Sequence, residues 1–105
     1  MKLKIENYAK ALDGGVGQRR YAWRVFINEP PHVLDAIESI IYTLPPTFSR
    51  PSRVAGNAND GFVLEGYGVE EFNILATVLY KNRTEETQQY HLDFSKPWPA
   101  RAVSA

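Results

Sequence analysis

Apolar and polar residues alternate along most of this chain, a pattern typical of β-strands that bury one face. The alternation is clearest in the stretch YAWRVFINE, residues 21–29, where every second residue from Tyr21 to Ile27 is apolar. Two prolines follow directly, and proline cannot continue a ladder of backbone hydrogen bonds. The pattern therefore predicts a half-buried strand that ends before Pro30 and has Trp23 in the core.

The same period of two predicts strands before and after this one. A first strand carries Leu3 and Ile5 and ends at Asp13-Gly14-Gly15. Turn-forming residues at 55–61 precede the next strands, and a polar loop at 81–87 is typical of a hairpin. The further predicted strands span residues 62–68, 72–80 and 88–94.

Residues 32–44, HVLDAIESIIYTL, fit two interpretations. Asp35 and Glu38, with the apolar residues between them, could describe a helix. The β-branched and aromatic residues at 40–43 favour a strand, and a residue that precedes a proline avoids the helical region. We predict a strand over 36–44 with a helical or bulged start.

Six or so short strands and no convincing long helix predict an all-β fold, an antiparallel β-sandwich. With 105 residues, the chain is expected to form one domain over 1–105, with its core at about 20–94 and an extended tail at 95–105 that is poorly held except at Trp98. The predicted core residues lie on the apolar faces of the strands or directly follow them. They are Trp23, Val25, Tyr42, Leu44, Phe72, Ile74, Val78 and Leu92.

Composition narrows the classes of partner. Twelve basic and twelve acidic side chains cancel, so no global field would attract nucleic acid or an anionic membrane. No apolar run approaches the roughly 20 residues of a membrane helix, and the N-terminal residues are unlike a signal peptide. The chain has no cysteine, which excludes disulfides and thiolate metal sites. We expect a cytoplasmic protein that contacts neither nucleic acid nor membrane.

The sequence offers little for catalysis. Its two histidines, His32 and His91, lie about sixty residues apart, and neither belongs to a metal-binding spacing. Asp93 shares a strand face with His91 and could orient it, but no serine stands in a nucleophile-elbow context. We predict that the protein is not an enzyme and has no catalytic residue, metal or cofactor. A cleft that joined His91 and Asp93 to a hydroxyl would favour the enzyme hypothesis instead.

The stretch YTLPPTFSRPSRV, residues 42–54, places three prolines after an apolar run. The prolines predict an abrupt end of the strand, after which Thr47 and Phe48 stand in a loop. In a sandwich, the loops at the ends of the strands are a frequent place for a binding surface. The pattern therefore favours a binding role for this stretch.

Taken in order, a set of residues along the chain resembles the YEATS domain family. The matching elements are Trp23, Leu44, Thr47-Phe48, Pro51 with Arg53, Gly66-Tyr67-Gly68 and Phe72. Single pairs such as Thr-Phe are weak signals, and the order and spacing of the whole set carry the resemblance. It covers residues 20–94 and implies an immunoglobulin-like β-sandwich, in agreement with the alternation of apolar residues.

Eukaryotic reader members of that family hold acetylated or crotonylated lysine in an aromatic slot between end loops. By position, the resemblance implies that Thr47 supplies a hydroxyl and Phe48 one ring. Tyr67, between Gly66 and Gly68, would supply the second ring and a backbone amide. A planar acyl amide suits two aromatic faces, whereas unmodified lysine would lose the hydration of its ammonium. The alternative is structural: Phe48 caps the sandwich, and the Gly-Tyr-Gly segment is a turn with a packed tyrosine.

Two departures shift the resemblance toward the prokaryotic-type YEATS relatives. Pro45 stands where the readers have a histidine, and about two extra residues separate Tyr67 from Phe72. Those relatives occur as modules of larger bacterial proteins linked to signalling. We therefore predict a non-catalytic recognition module that binds a protein or peptide partner through its end loops, with its oligomeric state left open. The loops are those at 14–20, 45–53 and 65–71.

Two alternatives to this function stay open at the level of sequence. The first is an acyl-lysine reader that uses the slot of Thr47, Phe48 and Tyr67. The second is a structural domain that pairs with its partner through an exposed edge strand, by β-augmentation. An end-loop surface without an aromatic slot would favour the second alternative.

Overall fold

The structure is a computed structural model, and it describes residues 2–12 and 20–99. In this part of the chain seven β-strands account for most of the regular structure, with one short helix, α1, at Pro31–Leu34 and a 3-10 turn at Ala58–Asp60. The strands are β1 (Ile5–Leu12), β2 (Arg20–Ile27), β3 (Ile37–Thr43), β4 (Ser52–Ala55), β5 (Leu64–Gly68), β6 (Asn73–Tyr80) and β7 (Glu85–His91). None of the described helices is long and apolar enough to cross a membrane.

The strands form two sheets. One sheet has three strands in the order β1-β2-β5, and the other has four in the order β4-β3-β6-β7. Every pair of neighbouring strands is antiparallel. The inner faces of the two sheets supply one continuous hydrophobic core, which confirms the predicted antiparallel β-sandwich.

The core contains the residues that the alternation predicted, with one exception. Seven of the eight predicted residues are buried: Trp23, Val25, Tyr42, Leu44, Ile74, Val78 and Leu92. Phe72 is only half-buried, because it lies just before β6 at the end of the sandwich and packs against the core from there. Tyr42 is the largest polar core side chain, and its hydroxyl donates a 2.6 Å hydrogen bond to the carbonyl of Phe62.

The ambiguous stretch before the prolines combines both of the elements that its sequence indicated. Helix α1 starts at two prolines, where the missing N–H of a proline costs no helical hydrogen bond. Strand β3 follows almost directly, and its register against β6 shifts between Ile37 and Ser39, as in a β-bulge. The predicted strand at 36–44 with an irregular start is confirmed within one residue at each end.

Strand β4 was missed by the sequence analysis, which placed residues 45–53 in a loop. The strand is only four residues long, and it follows three prolines. Its residues pair with β3 from Ile40↔Ala55 to Thr43↔Ser52, so the neighbouring strand supplies the backbone partners that define it. The predicted end of the first strand at Asp13-Gly14-Gly15 lies outside the described residues.

Residues 95–99, predicted to be poorly held except at Trp98, are attached to the edge of β1. The backbone N–H of Ala9 donates a 2.9 Å hydrogen bond to the carbonyl of Lys96, and Pro97 forms a parallel bridge with Ala9. The ring of Trp98 then lies edge-on against Tyr8 at 4.7 Å between centroids. The segment therefore returns from β7 to the three-stranded sheet and covers part of its outer face.

Alkaline pH is expected to destabilise the fold through its tyrosines. Burial, aided by the charges of Asp93 and Glu6, raises the pKa of Tyr90 from 10.0 to about 12. Because the unfolded chain ionises near pH 10 and the folded chain does not, stability that is present below pH 10 is lost as the pH rises toward 12. Urea midpoints measured from pH 9 to 12 should fall less steeply in Tyr90→Phe. If the urea midpoint of Tyr90→Phe falls with pH as steeply as that of the unchanged protein, Tyr90 does not cause the loss of stability.

Candidate functional site

One end of the sandwich gathers the connections in which the sequence predicted a binding surface. Thr43, the last residue of β3, pairs with Ser52 at the start of β4 and with Leu75 near the start of β6. Residues 69–72 link β5 to β6, so the connection 44–51 emerges at the same end as the connection 69–72. Two of the three predicted loops therefore meet at this end, and most of the third, 14–20, lies outside the described residues.

The connection 44–51 is closed by its own backbone hydrogen bonds. The N–H of Leu44 donates to the carbonyl of Pro51 at 2.7 Å, and the N–H of Phe48 donates to the carbonyl of Pro45 at 3.0 Å. These bonds hold a turn in which Thr47 is exposed and Phe48 is half-buried. The prolines thus end β3, as predicted, and present a fixed loop.

A row of three aromatic rings supports this loop from inside. The ring of Phe72 lies edge-on to Trp23, with centroids 5.7 Å apart, and the ring of Phe48 packs on Phe72 at 5.1 Å. The indole N–H of Trp23 is buried without a hydrogen-bond partner among the described residues. Leaving such a donor unpaired costs about 1–3 kcal/mol, so the end of the sandwich contains an unused polar group beneath its loops.

Tyr67 lies on the other side of the three-stranded sheet. It pairs with Ala22, whereas its neighbour Gly66 pairs with the core residue Trp23. Successive side chains of a strand point to opposite faces, so the ring of Tyr67 is on the outer face, where it is 61% exposed. The structure brings Phe48 together with Phe72 and Trp23, and it places Tyr67 outside this row. Whether Thr47, Phe48 and Tyr67 act together stays a prediction.

The outer face around Tyr67 contains residues that the sequence analysis did not select. Tyr67 shares a groove of about 500 Å³ with Lys10, Arg24 and Trp98. The alternation along β1 and β2 was a usable signal for Lys10 and Arg24, which share a face with Tyr8 and Ala22. For Trp98 the sequence indicated an anchor of the tail, and its place on this face follows from the return of the tail across β1.

Arg24 forms the centre of this outer face. Its guanidinium is paired with the carboxylate of Glu65, and it donates a 3.2 Å hydrogen bond to the hydroxyl of Tyr8. It also lies over the ring of Trp98 at 5.1 Å. A planar cation that is stacked and paired in this way has a fixed orientation.

The histidine and aspartate that entered the enzyme hypothesis have separate partners. The Nδ1 atom of His91 lies 2.8 Å from the amide oxygen of Asn73. Asp93 accepts hydrogen bonds from the hydroxyl and the N–H of Ser95, and these bonds lower the pKa of its carboxyl. In residues 2–12 and 20–99, no three His, Asp or Glu side chains meet in a way that would hold a metal ion.

Solved structures with the same architecture are YEATS domains. The Yaf9 YEATS domain recognising an H3K122suc peptide gives a TM-score of 0.69 at 19% identity, over 90% of this chain and 78% of that chain. The Yaf9 YEATS domain bound to H3K27ac gives 0.67 at 18% identity, over 93% of this chain and 78% of that one. The yeast AF-9 homolog protein Yaf9 gives 0.67 at 18% identity, over 90% and 72%.

At this level of identity, the structural similarity establishes the fold. No curated protein sequence matches the chain. A family model for the prokaryotic YEATS domain matches residues 21–93, which include strands β3 to β7 and all of β2 except Arg20. This range agrees closely with the residues 20–94 over which the sequence resembled the family. The chain therefore belongs to the prokaryotic YEATS domain family.

Proposed function

We propose that this chain is a non-catalytic recognition module that binds a protein or peptide partner through the connections 44–51 and 69–72. The observation that carries the proposal is the exposed loop at Thr47, held by internal backbone bonds and supported by the ring row of Phe48, Phe72 and Trp23. We place this module in the cytoplasm, as part of a bacterial signalling protein.

The energetics of this end favour binding. A loop that is closed by two of its own backbone hydrogen bonds loses less conformational freedom when a partner arrives, and preorganisation lowers this cost of binding. The exposed hydroxyl of Thr47 offers a donor and an acceptor next to the half-buried ring of Phe48. An apolar surface beside a polar group is a frequent composition of peptide-binding sites.

Peptides selected from a random display library on the unchanged domain test this proposal. Thr47→Arg should weaken the selected peptides at least tenfold, because a long charged side chain would fill the loop surface. Thr84→Arg, an equal change on the exposed turn between β6 and β7, is the matched control and should leave binding within twofold. Peptides that tolerate Thr47→Arg would contradict end-loop binding, and their loss on substitution of the β5 edge would favour strand addition.

A second candidate function is the recognition of acyl-lysine at this same end. It is favoured by the unpaired indole N–H of Trp23, which lies 3.9 Å from the position that a Cβ on Gly68 would occupy. The three predicted side chains belong to loops and to an edge strand at one end. Because β5 is an edge strand, the exposed ring of Tyr67 has no further strand beyond it within the described sheet. To form the acyl-lysine slot, the ring of Tyr67 has to turn from the outer face toward Phe48.

Titration with acetyl-lysine, crotonyl-lysine and unmodified lysine peptides tests the reader function. Saturable NMR shifts of Thr47, Phe48 and Tyr67 are expected for the acylated peptides alone. Thr47→Val keeps the shape of the side chain but removes the hydroxyl, and it should weaken binding at least tenfold. Thr43→Val, at an exposed position on β3, is the control. The absence of saturable shifts at millimolar peptide would reject acyl-lysine as the ligand.

A further inference from the structure

A groove on the outer face of the three-stranded sheet lies apart from the loop at Thr47. It has a volume of about 500 Å³, within the range of small binding sites. We call it the Tyr67–Trp98 groove, after its two aromatic walls. Its other main lining residues are Lys10, Leu12, Ala22 and Arg24.

The charges around this groove do not cancel. Glu65 is its one lining carboxylate in the described chain, and the guanidinium of Arg24 already pairs with it. The ammonium of Lys10 lies over the ring of Trp98 at 4.6 Å, a contact that leaves its positive charge in place. Arg20 is exposed on the same face by the alternation of β2. Lys10 and Arg20 have no carboxylate partner among residues 2–12 and 20–99, so two cations in this part of the chain are available to an anion.

The aromatic walls add a preference for flat groups. Tyr67 is 61% exposed to solvent, and it is the one aromatic residue among the large hydrophobic residues that are exposed in the described chain. Trp98 is held by its edge-on contact with Tyr8, and its buried indole N–H has no hydrogen-bond partner among the residues that the structure describes. A planar apolar group can stack against the exposed ring of Tyr67, and a carboxylate can accept from the ammonium of Lys10 over the ring of Trp98.

The size of the positive region limits the kind of anion. The adjoining groove of about 530 Å³ shares Arg24 and Glu65 but also contains Asp60, so its surplus charge is negative. A long polyanion such as nucleic acid would meet this carboxylate, whereas a short acidic segment would not. Gly68, the last residue of β5, pairs with Tyr21, so Tyr67 lies close to the end of the sandwich where the connections 44–51 and 69–72 lie.

We propose that the Tyr67–Trp98 groove binds a short acidic segment of the protein partner, with a planar side chain on the aromatic walls and a carboxylate at Lys10. The inference rests on the proposed recognition function and adds the charge of the partner. Residues that flank the loop-bound part of a peptide would continue along β5 into this groove. Acidic flanking residues would then raise the affinity and the rate of association.

A pair of synthetic peptides tests the inference. One has four glutamates around a phenylalanine, and the other has four lysines around it. The chain has two tryptophans, and since Trp23 is buried, a change of fluorescence will report mainly on Trp98. The acidic peptide should give a saturable change that weakens as salt is raised. The basic peptide should give none.

Charge reversal in the groove supplies the matched comparison. Lys10→Glu should weaken the acidic peptide at least tenfold, and circular dichroism should show an unchanged fold because Lys10 is exposed. Lys81→Glu makes the same change of charge at the exposed turn after β6 and should leave the affinity within twofold. Equal weakening by the two variants, or binding of both peptides alike, would overturn the inference.

The outcome separates this inference from the recognition function itself. If the affinity of the selected peptides falls with Thr47→Arg but does not change with Lys10→Glu, the end-loop site is supported and the acidic segment is rejected. Binding of the acidic peptide that depends on Lys10 but not on Thr47 would support the groove, and the library peptides with Thr47→Arg test the end loops separately. The two variants therefore report on two surfaces of one domain.

Discussion

Replacing Trp23 with alanine is expected to lower the free energy of unfolding by about 3–5 kcal/mol, the usual cost of removing a large buried aromatic side chain. Trp23 is 1% exposed, packs edge-on against Phe72 and lies directly beneath Gly66. A domain of this size has a total stability of roughly 5–15 kcal/mol, so the variant would lose a large share of it. Urea unfolding followed by circular dichroism measures the change.

Tyr67→Ala is the control for this prediction, because Tyr67 is the neighbouring aromatic on the exposed side of the same sheet. It should cost less than about 1 kcal/mol, as surface substitutions usually do. A further variant, Trp23→Phe, keeps an aromatic ring and removes the unpaired indole N–H, so it should cost less than Trp23→Ala. Equal losses in Trp23→Ala and Tyr67→Ala would show that Trp23 is not the anchor of the core.

Gly66→Ala is expected to destabilise the fold by about 1–3 kcal/mol, the typical cost of overpacking a filled core. A Cβ at this position would come within 2.5 Å of Cζ2 and 2.8 Å of Cη2 of the Trp23 ring. Real Cβ atoms do not approach other atoms so closely, so the indole or the backbone of β5 would have to move. The requirement for glycine here comes from the close approach of a ring, since Trp23 and Gly66 are cross-strand neighbours.

Gly68→Ala tests whether this cost is specific. Gly68 stands two residues further on the same strand, yet its Cβ would lie 3.9 Å from the indole nitrogen, an ordinary contact. The variant should therefore change stability by less than Gly66→Ala. In a double-mutant cycle, Trp23→Phe should relieve part of the Gly66→Ala penalty, because the smaller ring vacates the position of the new methyl. Additive losses would place the origin of the penalty in the backbone instead.

The sequence by itself determined most of the fold, since alternation is a local property. A residue such as Val25 or Ile74 is buried because every second position of its strand faces the core, and this pattern can be read without knowing the partner strand. The order of short motifs was also enough to indicate the YEATS family, which the family match confirms. The sequence also indicated the irregular start of β3, because residues 32–44 contain both a helical pattern and β-favouring residues.

Strand β4 and the tail were decided only by the tertiary structure. Residues 52–55 have too few side chains to show a period, and they become a strand because β3 offers them backbone partners. Trp98 reaches the outer face because Ala9 bonds to Lys96, a pairing of residues far apart in sequence. Contacts of this kind depend on where the rest of the chain lies, so no local pattern contains them.

The arrangement of the candidate site is the clearest case of this division. The sequence selected Thr47, Phe48 and Tyr67 as one group, because their spacing resembles a family motif. In β5, LEGYG, the residues that share a face with Leu64 are both glycines, so the sequence of this strand does not state which face turns inward. The pairing of Gly66 with Trp23 determines the face: the indole packs against Gly66 on the inner face, so Tyr67 lies on the outer face and lines the same groove as Trp98.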